Sequence, residues 1–248
     1  MSFVRASWSA PDAVLAGVSN RYGGVSLPPY SSLNMASHVG DDQAAVDANR
    51  ALLAEQLRVP SKNIQWLDQV HGGKVIVADS NSLATTPRGD ALVTAEPGIA
   101  LAIMTADCLP ILLTDQQGKQ VAAIHAGWRS LVSGVIDSTV AAMQAEPQSL
   151  LAWLGPAIGP QQFEVGEDVK EAFLNSDFGE NALKAFKPIT GQDYKYYANL
   201  YRLAKMRLRQ LGVSHITGKK YCTLSEQQWF SYRRDGDTGR MASFIMIR

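Results

Sequence analysis

The sequence predicts an α+β fold in which mixed, largely antiparallel sheets pack as a sandwich, with residues 1–248 forming a single domain. Three observations carry this expectation. Short apolar or β-branched runs are separated by tight-turn signals, which argues for hairpins. Only a few segments switch to helical spacing, and they do not alternate with the strands as a regular βαβ series would. No low-complexity stretch, repeat or Pro/Ser-rich linker divides the chain.

The first helix is expected over Asp41 to Leu57, where Ala44, Ala45, Ala48, Leu52 and Leu53 recur at helical spacing. Asp41 or Asp42 offers an N-cap, and Pro60 lies just beyond the end. Strands follow at Ile64 to Leu67, Lys74 to Ala78, Ala91 to Thr94 and Ile99 to Thr105. Gly72-Gly73, Arg88-Gly89-Asp90 and Glu96-Pro97-Gly98 punctuate them. Ile111 to Thr114 and Val121 to His125 read as a hairpin across Asp115-Gln116-Gln117-Gly118. The apolar stripe from Trp128 through Leu131, Val135, Ile136 and Val140 to Met143 predicts one long helix ending before Pro147. Leu150 to Leu154 is a buried strand, followed by the loop Gly155 to Pro160. Helices are expected near Val169 to Leu174 and from Asn199 to Leu211, with strands near His215 to Thr217 and Ala242 to Ile247.

Composition excludes several classes. With 248 residues and 46% hydrophobic content the chain should bury roughly 70–75% of its unfolded surface, so it is neither disordered nor fibrous. Lys plus Arg and Asp plus Glu are both 23, which leaves no electrostatic reason to expect nucleic acid or an anionic membrane as partner. No stretch approaches the roughly 18 apolar residues of a membrane span, and the first residues lack a signal-peptide core. Two cysteines, Cys108 and Cys222, make no disulfide framework. The expected compartment is the cytoplasm, with both thiols reduced.

Three segments carry most of the chemical signal: Asp68 to Gly73 around His71, Thr105 to Pro110 around Cys108, and His125 to Ser130. Each polar group sits where a strand ends, the place on a rigid sheet where sites are commonly built. Two imidazoles and a thiolate would supply three ligands for zinc and leave a fourth position open. Their spacings of 37 and 17 residues match no short zinc-binding pattern, and each residue has a plain structural reading. A cysteine after an apolar strand is commonly a small core residue, and a histidine before glycine a turn residue. Asp107 and Arg129 are unusual neighbours for pure packing, because charges beside buried strands need partners. His38 and His215 lack such company and read as structural or exposed.

The combination of QVHGG at 69–73, TADCLPILL at 105–113, HAGWRS at 125–130, LGPAIGP at 154–160 and FSYRRDGDTGRM at 230–241 resembles one family. It is the laccase-domain family, known variously as multicopper polyphenol oxidoreductases, purine nucleoside phosphorylases or peptidoglycan editing factors. The matching segments run in order over nearly the whole chain, and the three ligand motifs show no departure from the family pattern. The resemblance implies two sheets between helical layers and a zinc held by His71, Cys108 and His125. It also implies phosphorolysis of adenosine, inosine, guanosine and methylthioadenosine, together with deamination of adenosine.

Several residues offer themselves for that chemistry. Asp107 could orient a water, handle a proton or only hold a neighbouring ligand. Phosphate needs planar donors, for which Arg129 is the first choice and Arg50 the second, with Arg233 and Arg234 also available. Phe163, after the Gly155 to Pro160 loop, offers a stacking face for a purine or else a core plug. Alternatives stay open. Cys108 and His125 could form a metal-free nucleophile and base acting on a peptidoglycan precursor. Copper could substitute for zinc, but four histidines without a His-x-His pair make a multicopper oxidase chemically poor. A binding module with structural zinc is disfavoured, since three ligands leave the metal shell open.

Overall fold

The computed structural model describes residues 3–218 and 221–248. Two sheets form its centre. One has five strands in the order Phe3–Arg5, Val14–Ser19, Met241–Ile247, Ala100–Thr105 and Ile64–Gln65. The other has six, in the order His215–Thr217, Leu150–Leu154, Leu109–Asp115, Val121–Ala126, Ala91–Thr94 and Val75–Val77. Most pairs are antiparallel, and parallel pairs occur at the edges, where His215–Thr217 joins Leu150–Leu154, Val75–Val77 joins Ala91–Thr94 and Ile64–Gln65 joins Ala100–Thr105. The expected mixed α+β sandwich is what the chain forms.

Strand periodicity explains the layering. Leu101 and Ile103 face the other sheet and pack with Leu112, Ala123 and Trp153, while Ala100, Ala102 and Met104 face the outer helix. That helix, Gln43–Leu57, lays Leu53, Ala54 and Leu57 on the five-stranded sheet. The outer face of the six-stranded sheet, with Ile111, Leu113 and Ile124, is covered by Val135–Ala142, Glu167–Leu174 and Leu200–Gln210. The central strands of both sheets are therefore buried on both faces. This is why their strands read as continuous apolar runs instead of alternating ones.

Local signals explain most element ends. The Asp42 carboxylate caps the first helix by accepting from the Ala44 amide at 3.0 Å, and Arg58 closes it in the left-handed region. The hairpin turn at residues 115–118 forms as expected, with Gly118 at φ +68° and the Asp115 carboxylate accepting from the amides of Gln117 and Gln120. The single long helix expected from Trp128 to Met143 is instead two, Trp128–Val132 and Val135–Ala142, because Gly134 turns left-handed at φ +73°. The break has a neighbour that needs it. A Cβ on Gly73 would lie 2.2 Å from the Ser133 carbonyl oxygen, so the loop after His71 packs directly on the interruption.

The strands Phe3–Arg5 and Val14–Ser19 and a small sheet of Glu164–Gly166, Lys195–Ala198 and Phe186–Pro188 are additions to the sequence expectation. Each strand of the small sheet is three or four residues long, too short to show a period. No helix among the described residues is long and apolar enough to cross a membrane.

Candidate metal centre

The site lies at one end of the sandwich, where the chain steps from one sheet to the other. Ala100–Thr105 belongs to the five-stranded sheet and Leu109–Asp115 to the six-stranded one, so residues 106–108 form the crossing. Cys108 closes that crossing. His125 sits on the neighbouring strand, whose register pairs it with Pro110. His71 arrives on the loop between Ile64–Gln65 and Val75–Val77. Gln69 fixes this loop to the sheet: its side chain donates to the Met104 carbonyl at 2.9 Å and accepts from the Met104 amide at 2.7 Å.

One ligand atom from each of His71, Cys108 and His125 lies within 4.8 Å of the other two. The two imidazoles meet edge to face, with centroids 4.7 Å apart. Gly127 makes room for this closeness. A Cβ there would stand 2.9 Å from the Cys108 sulfur and 3.4 Å from the His71 ring. Its φ of −63° is open to any residue, so space and not backbone freedom requires glycine.

Asp90, fully buried, organises two of the three ligands. Its Oδ1 lies 2.8 Å from His125 Nδ1, which fixes the ring and leaves Nε2 facing the cluster. The same carboxylate accepts from the amides of His71 at 2.8 Å, Gly72 at 2.7 Å and Val70 at 3.3 Å. Those bonds hold His71 at φ +59°, a left-handed conformation uncommon for a side chain of its size. Burial alone would raise the Asp90 carboxyl, but the His125 hydrogen bond and the loop amides outweigh it and hold the group below the ordinary carboxylate range. Burial pushes the Cys108 thiol up, and the charge and hydrogen bond of His125, with help from His71, bring it well below the usual thiol range. Burial likewise opposes charge on His125, but Cys108 and Asp90 raise it well above an ordinary imidazole. Without a metal, each of the two groups favours charge on the other, His125 drawing the Cys108 thiol down and Cys108 drawing the His125 imidazole up.

The cluster opens into a cavity of about 440 Å³, within the range of small-molecule sites. Gln69, Thr105, Tyr232, His38 and Arg240 complete its wall. The Thr105 hydroxyl is buried there without a hydrogen-bond partner among the described residues. Arg240 is a wall residue that sequence reasoning does not single out, while His38, expected to be structural or exposed, is exposed in that wall. His38 precedes no strand and sits in no apolar pattern. Arg240 lies in the 230–241 segment, where Arg233 and Arg234 are the more conspicuous arginines. Its signal is positional: it immediately precedes Met241, which pairs with Thr105 at the crossing.

The other expected residues occupy different places. Asp107, at φ +90°, has both oxygens engaged, accepting from the Thr223 hydroxyl at 2.5 Å and the Arg233 amide at 2.7 Å. It ties the crossing to the C-terminal segment. Arg129 is exposed and stacks on Trp128 at 4.3 Å, outside the cavity wall. Arg50 approaches from the first helix, but its guanidinium stacks 4.2 Å from Trp66 and its Nε donates to the Met35 carbonyl. Arg233 is exposed, donates to the Glu164 carbonyl and lies over Phe163. Phe163 is 9% exposed and packs in the core beneath the outer helices, the plug reading of the two. Arg234 donates to the carbonyls of Thr223, Leu224 and Trp229, bracing the short helix Tyr232–Asp235.

The donor set fits a transition metal. Two imidazole nitrogens and a thiolate suit zinc, and also copper, while Asp90 supplies the outer carboxylate that such histidines usually have. Among the described residues this is the one cluster of three or more such donors. A centre of several coppers therefore has no counterpart among them.

Comparison with known proteins agrees with this architecture. The family model described as multi-copper polyphenol oxidoreductase laccase matches residues 15–248. A protein of Escherichia coli (strain K12) named purine nucleoside phosphorylase YfiH is 47% identical over 241 residues, spanning 97% of this chain and 96% of its own. A Haemophilus influenzae protein named purine nucleoside phosphorylase is 45% identical and spans 99% of both. The crystal structure of Neisseria meningitidis protein NMB0706 superposes with a TM-score of 0.94 at 44% identity, covering 100% of this chain and 99% of that one. YlmD from Geobacillus stearothermophilus gives 0.86 at 32% identity, covering 96% and 93%. With the family model matching residues 15–248 and relatives and solved structures aligning along nearly its full length, the chain belongs to the multi-copper polyphenol oxidoreductase laccase family.

Proposed function

We propose that the chain is a purine nucleoside phosphorylase whose active site is the cavity of His71, Cys108 and His125, and that zinc is the metal they hold. The observation that carries this reading is the convergence of three ligands and a cation, Arg240, on one cavity at the sheet crossing. The names of full-length relatives at 45–47% identity point the same way. In phosphorolysis an oxygen of phosphate bonds to ribose C1′ as the C1′–N9 bond breaks, and the purine leaves with the bonding electrons and takes up a proton. When bound, zinc supplies Lewis acidity at the cavity floor, chemistry that also suits deamination of adenosine. The protein's own part is positional. Asp90 aims His125 and the His71 loop, Gln69 pins that loop to the sheet, and Gly127 keeps the cluster uncrowded. Asp107 acts in this reading as a clamp on the turn that presents Cys108.

The direct test measures purine release from inosine and adenosine with and without phosphate, for the wild type and for Cys108→Ser purified in parallel. Phosphate-dependent release that vanishes in the variant is expected. Equal release from both preparations would trace the activity to a contaminant and contradict the reading.

One observation favours a second reading. Cys108, His125 and Asp90 are ordered as nucleophile, base and orienting acid, the arrangement of a cysteine hydrolase, and a peptidoglycan precursor would be its substrate. That triad has no use for His71, which the loop holds in a costly conformation beside the other two. Three convergent donors favour the metal.

A further inference from the structure

We infer that Arg240 and His38 form the seat of a tetrahedral oxyanion, inorganic phosphate or the phosphoryl group of a sugar phosphate, beside the metal ligands. The identity of the anion as phosphate rests on the phosphorolytic reading, whereas the seat itself does not.

The first observation is a guanidinium without a carboxylate partner. None of the residues lining the cavity carries a carboxylate. Arg240 makes no salt bridge among the described residues. Its Nη1 donates to the Thr238 and Gly239 carbonyls and its guanidinium lies 5.7 Å from the Tyr232 ring centroid, which leaves Nε and Nη2 without a hydrogen-bond acceptor among the described residues. The acids that act on these cations do so from a distance or are already engaged. Asp107 has each oxygen accepting a hydrogen bond, from Thr223 and from the Arg233 amide, and Asp68 pairs with Arg88 at 3.3 Å. Asp237 and the Cys108 sulfur reach Arg240 only through the electrostatic field. A half-buried guanidinium with free planar donors in a cavity wall is suited to an anion, and the fork geometry matches two oxygens of phosphate.

The second observation is rigidity. The Asn34 side chain accepts from the Arg240 amide at 2.9 Å, and the Arg240 carbonyl accepts from the Met35 amide at 3.1 Å. Gly239 before it is wedged, since a Cβ there would meet the Phe230 ring at 2.6 Å. The anchor is thus set before a ligand arrives. The third is His38, a solvent-accessible residue of the same wall, whose imidazole is held below its ordinary range by partial desolvation and then by the Arg240 charge. A bound anion would relieve both groups. The other arginines lie outside this wall, Arg129 stacked on Trp128, Arg50 on Trp66 and Arg233 donating to the Glu164 carbonyl. A larger groove of about 570 Å³, ringed by Arg5, Arg58 and Arg248, lies apart from the metal ligands and contains none of them.

The test titrates inorganic phosphate into the protein as purified, by calorimetry, for wild type, Arg240→Gln, Arg240→Lys, His38→Ala and Arg129→Gln. Arg240→Gln should weaken phosphate roughly ten- to a hundredfold, as loss of charge-assisted bonds implies. Arg240→Lys should fall between, His38→Ala should weaken it less, and Arg129→Gln should match wild type. Metal content and thermal unfolding identify a variant that has lost its fold, and the lysine variant then carries the decision. Wild-type phosphate affinity in folded Arg240→Gln and Arg240→Lys, or loss in Arg129→Gln alone, would overturn the seat. Steady-state kinetics separate the two claims. Phosphorolysis with an unchanged phosphate KM in Arg240→Gln removes the seat and keeps the phosphorylase. Anion binding that depends on Arg240, without phosphorolysis, keeps the seat and removes the phosphorylase.

Discussion

Two aspartates flank the ligand cluster, and they do different things. Asp107 adjoins Cys108 in the chain, yet its oxygens face away, to Thr223 and the Arg233 amide. Asp90 lies 18 residues from Cys108 and grips His125 and the His71 loop together. Closeness in sequence therefore marks the clamp on the turn, and closeness in space marks the organiser of the ligands. The reason is the sheet. Ala91 pairs with Ile124, so the residue before Ala91 comes level with His125, and no local pattern reports that register.

The largest effect should come from Asp90→Ala. It leaves His125 and three amides without their buried acceptor, and it should cost about 3–5 kcal/mol by denaturant unfolding. In whatever protein still folds, metal affinity measured against a chelator should fall about 10–100-fold. An Asp90 variant with wild-type metal affinity would erase the distinction between the two acids. Next is Gly127→Ala, whose methyl presses on the Cys108 sulfur. About 1–3 kcal/mol of strain is expected, read as weakened metal binding with an unchanged far-ultraviolet spectrum. The alkylation rate of Cys108 in metal-free protein sharpens the comparison through pH. Because His125 and His71 lower its thiol, the half-maximal rate should fall below the ordinary thiol range. Asp90→Asn should move that midpoint upward, since an imidazole without its carboxylate is less readily charged. Asp107→Asn should leave it in place and cost about 1 kcal/mol of stability, the smallest effect of the set.

Much of the fold was legible because its central strands are buried on both faces. Leu150–Leu154 falls where the apolar run placed it, and Gln43–Leu57 begins behind one of its two candidate caps. The segment after His125 reads as one helix because its apolar stripe runs straight through Gly134, and only the packing of Gly73 on Ser133 shows the interruption. The ligands His71, Cys108 and His125 stood out as polar groups at strand ends. Their partners did not. His38 lies in an irregular segment, Arg240 in a charged run that offered two other arginines, and Asp90 in what read as a turn. Phe163 was ambiguous by type alone, since an aromatic ring serves a core as readily as a purine.

The metal-to-protein ratio tests the central claim most directly, by elemental analysis of untagged protein purified without added metal, for wild type and Cys108→Ser. The account expects about one zinc ion per chain in wild type and little in the variant, with both folded. Stoichiometric metal retained in Cys108→Ser, or metal-free wild type with full phosphate-dependent activity, would contradict it.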